Sequence, residues 1–273
     1  MCRLFAFIAP ERSTVRRELD DAGMESLVSL ARLHGDGWGW AGVESLGDSP
    51  VVRKSAQSAI DDPRFEEAMT TPAHAAMVHL RWATSGIVIA DRNAHPFLEG
   101  DVAFEHNGAL KPIDDLRALL SPEVRAGLHG ETDSEMYFAL IREQLALGLP
   151  LLDATVHVVR RLREVFPLAS LNAILLDREQ MVVVRASAHS ILSERSLGEI
   201  ALHPHLPDDH NEDYFALRWK RHDDGTIIIG STGVAEFDWE PLPAESVTAI
   251  RLADRTGTTV SLHPEGAQLS SAE

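Results

Sequence analysis

The sequence predicts an α+β fold in which sheets pack on sheets with helices outside. Three observations carry that expectation. Strand-like apolar runs dominate the chain up to residue 110, apolar residues at every third or fourth position fill 114–165, and strand-like runs return from 171 onward. Strands, a helical block and strands again is not the alternating series that builds a parallel βαβ sheet.

Taken in chain order, CRLFAFI at 2–8 mixes apolar and β-branched residues and reads as a short strand, and ESLVSLARL at 25–33 carries apolar residues at helical spacing. HGDGWGWAG at 34–42 reads as a glycine-rich loop. VVRKSA at 51–56 and AAMVHLRWA at 75–83 are expected strands on either side of a helix around DDPRFEEAM, which has an acidic first turn. In DVAFEHNGAL at 101–110, Asn107-Gly108 lies between two apolar runs and predicts a β-hairpin. The helical block comprises DDLRALL, SEMYFALIREQLAL at 134–147 and LLDATVHVVRRLREV at 151–165, the second capped by Thr132 or Asp133 with Glu135 in its first turn. LNAILLD and MVVVRAS, joined by the turn REQ, then YFALRWK, TIIIGS and VTAIRL, are the returning strands. PDDHNED at 207–213 reads as an acidic surface loop and LSSAE as a frayed tail. With no repeat or linker, a single domain over 2–273 is expected.

Composition narrows the function. Twenty-five lysines and arginines face 42 aspartates and glutamates, a net charge of −17, the wrong sign for a protein that binds nucleic acid or anionic lipid. No apolar run approaches the roughly 20 residues of a spanning helix, and the N-terminus lacks the basic and apolar regions of a signal peptide. Only one cysteine is present, so no internal disulfide forms, which points to a reducing cytoplasm.

That cysteine stands at position 2. Removal of Met1 would make it the first residue, and its own α-amine, with a reference pKa of about 7.7–8.0, could then take the thiol proton as in N-terminal nucleophiles. The bland alternative is an inward-facing strand residue with an inert thiol. An acyl-transfer site also needs oxyanion donors, and HNG at 106–108 offers the Asn107 amide and the Gly108 N–H, although Asn-Gly is equally a simple turn. Arg81, ending an apolar strand, presents a fork of donors for a carboxylate, or else forms a surface ion pair. Asp133 could bind an ammonium group, or serve only as a helix cap.

Two further clusters carry less. HPHLPDDH at 203–210 brings His203, His205 and His210 near Asp208 and Asp209, but Pro204 and Pro207 mark a loop and no cysteine supports a metal set. The glycine-rich stretch lacks the lysine and serine or threonine of a phosphate loop. No metal or cofactor is expected.

MCR at 1–3, HGDGWGW at 34–40, HLRWATSG at 79–86, NAHPF at 93–97, FEHNGAL at 104–110 and ETDSE at 131–135, in this order, resemble the class II glutamine amidotransferases, whose glutaminase domains begin with a catalytic cysteine. The likeness is to small stand-alone members, including those similar to the γ-glutamyl hydrolase of ergothioneine biosynthesis. It implies a four-layer αββα sandwich of the N-terminal nucleophile type. It also implies roles: Cys2 as nucleophile and, through its amine, base; Asn107 and Gly108 as oxyanion hole; Arg81 on the substrate α-carboxylate and Asp133 on its α-ammonium. Thr84 would add a hydrogen bond near the substrate backbone, Trp82 and His95 would shape the pocket, and Asp36, Gly37 and Trp38 would line its entrance. Ser85 departs from the synthases, which commonly carry histidine there.

The implied reaction is hydrolysis of a γ-glutamyl amide, glutamine or a larger compound, through a thioester. Two other readings stay open: a glutaminase subunit handing ammonia to a separate synthase, and a binding protein that holds the γ-glutamyl ligand without turnover. Whether the chain associates with a synthase or with copies of itself is also open.

Overall fold

The protein is represented by a computed structural model that describes residues 2–83, 86–210 and 213–263. Two antiparallel sheets lie face to face. The first contains β1 (Cys2–Ser13), β2 (Trp38–Val43), β3 (Val51–Ser55), β4 (Ala73–Arg81), β9 (Leu217–Arg221), β10 (Ile227–Ser231) and β11 (Glu240–Pro241). Their order is β11-β9-β10-β1-β4-β2-β3, so the cysteine-bearing strand is central. The second is built from β5 (Phe97–Glu99), β6 (Val102–Asn107), β7 (Asn172–Leu176), β8 (Gln180–Arg185), β12 (Ser246–Arg251) and β13 (Gly257–Ser261), in the order β13-β12-β8-β7-β6-β5.

Strand alternation assigns the layers. On β1, Leu4, Ala6 and Ile8 face the second sheet, where they meet Ala103, Ile174 and Leu176. Phe5, Phe7 and Ala9 face outward onto α1 (Val15–Leu30) and α2 (Pro63–Met69). The outer face of the second sheet is covered by α3 (Ile113–Ala118), α4 (Pro122–Ala126), α5 (Asp133–Ala146) and α6 (Leu151–Val165), through Phe104, Ala173 and Leu175. Helices, sheet, sheet and helices form the expected αββα sandwich. A last helix, α7 (Glu194–Ala201), had no clear signal in the sequence.

Several expectations need correction. The helix expected at 25–33 starts earlier and bends at Asp20, which takes φ 57° while its carboxylate accepts from Gly23 N at 2.9 Å, recapping the chain after the bend. The glycine-rich stretch is a loop only to Gly37; Trp38–Val43 is a strand with all six residues buried. Asn107-Gly108 is not a hairpin turn. Asn107 ends β6 opposite Asn172, Gly108 does not take a left-handed φ, and the tight turn falls instead between β5 and β6 at Gly100, φ 56°. The 207–213 stretch is not simply surface either: His210 is fully buried. LSSAE lies outside the described residues.

Candidate active site

Cys2 pairs with Arg81 across the β1–β4 ladder, and its backbone N–H donates to Asn107 Oδ1 at 2.8 Å. One hydrogen bond therefore joins the central strand of the first sheet to the end of β6 in the second. Ser170 Oγ donates to the Asn107 carbonyl at 2.7 Å, and the Asn107 Nδ2 donors are uncommitted among the described residues. Gly108 follows where the chain passes close to Ser170, in the segment between α6 and β7. A Cβ there would overlap the Ser170 carbonyl and the His106 ring, so only glycine fits.

The thiol is buried, and burial by itself would push its pKa up; the electrostatic influence of the nearby His79, with a hydrogen bond from the Trp82 backbone, outweighs it and brings the thiol down to about 6. Cys2, Arg81, Gly108 and Asp133 line one small pocket, together with Trp82, His95 and His106. Burial lowers the Arg81 pKa, opposed by Cys2, Asp36 and Asp133. Arg81 N donates to Gly37 O at 2.9 Å, Asp36 N donates to Arg81 O at 3.0 Å, and Asp36 Oδ2 accepts from Ala83 N at 2.8 Å. Asp36 and Gly37 thus fix the Arg81 backbone. Gly37, at φ 128°, makes the turn into β2.

Asp133 is the first residue of α5, not its cap; Thr132 caps, its Oγ1 accepting from Glu135 N at 3.0 Å. The Asp133 carboxylate accepts from Leu110 N at 2.6 Å and Ser134 N at 3.0 Å, tying the segment after Gly108 to the helix N-terminus. Asp133 also lines the pocket that holds the thiol. Trp38 goes elsewhere. It packs edge-on against Phe65 and donates Nε1 to Asp62 Oδ2 at 3.1 Å, in the layer between the first sheet and α2, so it does not line the entrance. Thr84, Ser85 and Met1 lie outside the described residues.

His95, expected to shape the pocket, lines it, whereas His79, His106 and Arg3 were given no role by the sequence reading. His79 shares a face of β4 with Arg81, donates Nε2–H to the His106 carbonyl at 3.3 Å, and stacks on His95 with ring centroids 4.1 Å apart. Burial, then the nearby His79, keeps His95 well below the ordinary imidazole range. His106 joins Ser134 Oγ and the Ser170 carbonyl, at 2.9 and 3.1 Å. Arg3 is buried against the Tyr214 ring, 3.8 Å from its centroid, and donates to the carbonyls of Cys2, Tyr214 and His210. The signal for His79 was present: in HLR it sits two residues before Arg81 and so on the same strand face. Arg3 had none, because a guanidinium beside the first strand reads as solvated.

His210 Nε2 lies 3.1 Å from His34 Nε2, His205 is exposed, and among the described residues no three His, Cys, Asp or Glu side chains gather as a metal-binding group. No helix among those residues is long and apolar enough to cross a membrane.

Comparison with known proteins bears on the family and the fold. The family model for class-II glutamine amidotransferases matches residues 1–270. Among curated proteins, the glutamine–fructose-6-phosphate aminotransferase (isomerizing) of Zymomonas mobilis is 33% identical over 155 residues, covering 56% of this chain and 25% of that protein. The enzyme of the same name from Gluconobacter oxydans is 30% identical over 235 residues, covering 85% and 35%. The chain thus spans about a quarter to a third of the length of these relatives. Among solved structures, a glutamine aminotransferase class-II domain protein from Silicibacter pomeroyi superposes with a TM-score of 0.63 at 15% identity, covering 96% of this chain and 100% of that one. The phosphoribosylpyrophosphate amidotransferase of B. subtilis gives the same TM-score of 0.63 at 15% identity, over 96% of this chain and 49% of its own. These two share the fold. With the family match running almost the whole length and Cys2 heading the central strand, the chain belongs to the class-II glutamine amidotransferases, enzymes of the N-terminal-nucleophile type.

Proposed function

We propose that this protein hydrolyses a γ-glutamyl amide through a Cys2 thioester, releasing glutamate and ammonia or an amine. The observation that carries the reading is the 2.8 Å bond from Cys2 N to Asn107 Oδ1, because it holds the future α-amine, the thiol and an amide donor at one point. After Met1 is removed, that amine accepts the thiol proton and the sulfur attacks the γ-carbonyl carbon. Asn107 Nδ2 and Gly108 N–H stabilise the tetrahedral oxyanion. The Cys2 ammonium returns the proton to the leaving nitrogen, and water then cleaves the thioester. Arg81 receives the substrate α-carboxylate and Asp133 the α-ammonium, a pairing supported by their shared pocket. The reaction draws on no cofactor, and a cytoplasmic setting agrees with a free, reactive thiol.

Intact mass before and after an electrophilic glutamine analogue tests this. The expected result is a starting mass without Met1 and one adduct that is absent from Cys2→Ala. A processed protein that takes no adduct at Cys2 would overturn the reading. A second reading, ammonia delivery to a separate synthase, is supported by the names of the curated relatives, of which this chain matches only a part. It requires glutaminase activity that rises when a partner is added, whereas full activity of the isolated chain excludes it.

A further inference from the structure

A cavity of about 360 Å³ opens beside the thiol pocket, and the chemistry above leaves it unused. Trp82 and Ala83 line both spaces, and Gly108 of the one adjoins Ala109 of the other. Ammonia needs about the volume of one water, roughly 30 Å³. The cavity instead falls within the range of small-molecule sites, about 300–1,000 Å³.

Its lining is specific in charge. In a chain of net charge −17, it presents Lys111 and Arg195 against a single carboxylate, Glu199, among the described residues. Lys111 forms no ion pair among those residues. Arg195 gives only Nε to Glu199, at 2.8 Å, which leaves its terminal NH₂ groups uncommitted. Ser190 also lines the cavity, and its buried Oγ has no hydrogen-bond partner. A buried hydroxyl without a partner carries a desolvation cost that a polar ligand group would remove. Leu168, Ile191 and Phe215 supply apolar lining beside these groups.

From the adjoining cavities and this lining we infer that the cavity holds the leaving half of the substrate, and that this half is an amine bearing a carboxylate: an amino acid or short peptide joined through its α-nitrogen to the γ-carboxyl of glutamate. The inference rests on the hydrolase reading. When sulfur bonds to the γ-carbon and the C–N bond breaks, the amine leaves into this space with the proton from the Cys2 ammonium, its carboxylate meeting Lys111 and Arg195.

Binding and turnover separate the two claims. Calorimetry on the Cys2→Ala protein compares γ-glutamyl-glycine with γ-glutamyl-glycinamide, which has the same shape without the charge. The carboxylate form should bind about fivefold tighter or better. Lys111→Met should collapse that ratio and Lys111→Arg should keep it; Lys111 is exposed, so neither change threatens folding. Equal affinities, or no binding of either compound, would overturn the inference. On the protein with Cys2 intact, hydrolysis of glutamine without cleavage of γ-glutamyl-glycine would overturn it while sparing the hydrolase reading. Absence of all hydrolysis would instead defeat the hydrolase reading, and the calorimetric ratio would still decide what the cavity recognises.

Discussion

Glu105 and Cys2 stand on different sheets, yet their charges are coupled. Glu105 is two residues before Asn107 on β6, fully buried, and neither of its carboxyl oxygens has a hydrogen-bond partner. Burial first, and the negative Cys2 second, hold its pKa well above the ordinary carboxylate range. The native state keeps a proton that the unfolded chain releases above about pH 4.5, so stability is lost progressively as pH rises beyond that value. Glu105→Gln should therefore raise Tm at about pH 8 by a few degrees and have little effect at about pH 5. Thermal melts at both pH values check this, and a variant less stable at pH 8 would refute it. For Cys2 the sign is opposite: thiolate accumulates as pH rises through about 6. Alkylation rate should level off above about pH 7 rather than climb through the ordinary thiol range, as a stopped-flow pH series would show. Neither residue's state was legible in FEHNG or MCR. Alternation marks a strand face, but in a sheet covered on both sides neither face is solvent.

The elements show where local signals succeed and where they are overruled. Helix α5 was readable because Thr132 has a hydroxyl to cap Glu135 N, and α6 because its apolar residues recur at helical spacing. Asn107-Gly108 misled. The sequence signal for a two-residue turn is real, but here the pair ends a strand whose neighbour is Asn172, more than sixty residues away in the chain, and Gly108 is required by the close approach of Ser170. Contact of that kind has no local trace. The end of α6 depends on a similar long-range partner: Arg163 makes two bonds to Glu245, at 3.0 and 3.1 Å, with side chains 18% and 7% exposed. Arg163→Met would leave the Glu245 carboxylate buried without its cation, an expected loss of about 3 kcal/mol. Denaturant unfolding measures it, and the double variant with Glu245→Leu should lose less than the single one.

At the scale of the whole molecule, a net charge of −17 sets most surface groups against one another. Raising ionic strength from about 0.01 to about 0.15 M should therefore raise Tm, and an unchanged melt across that range would show that the charges are already balanced locally. The sequence by itself determined the fold class, helices α5 and α6, and the family, because periodicity, caps and six ordered motifs are local properties of the chain. It also named Cys2, Arg81, Asn107, Gly108 and Asp133, which the sandwich brings to one end of β1, β4, β6 and α5. The tertiary structure alone decided that Trp38 belongs to a core layer, that His79 and Glu105 flank the thiol, and that a charged cavity adjoins it. The reason is physical. Which face of a doubly covered strand meets which neighbour depends on sheet order and register, and those are fixed by contacts between residues far apart in the chain.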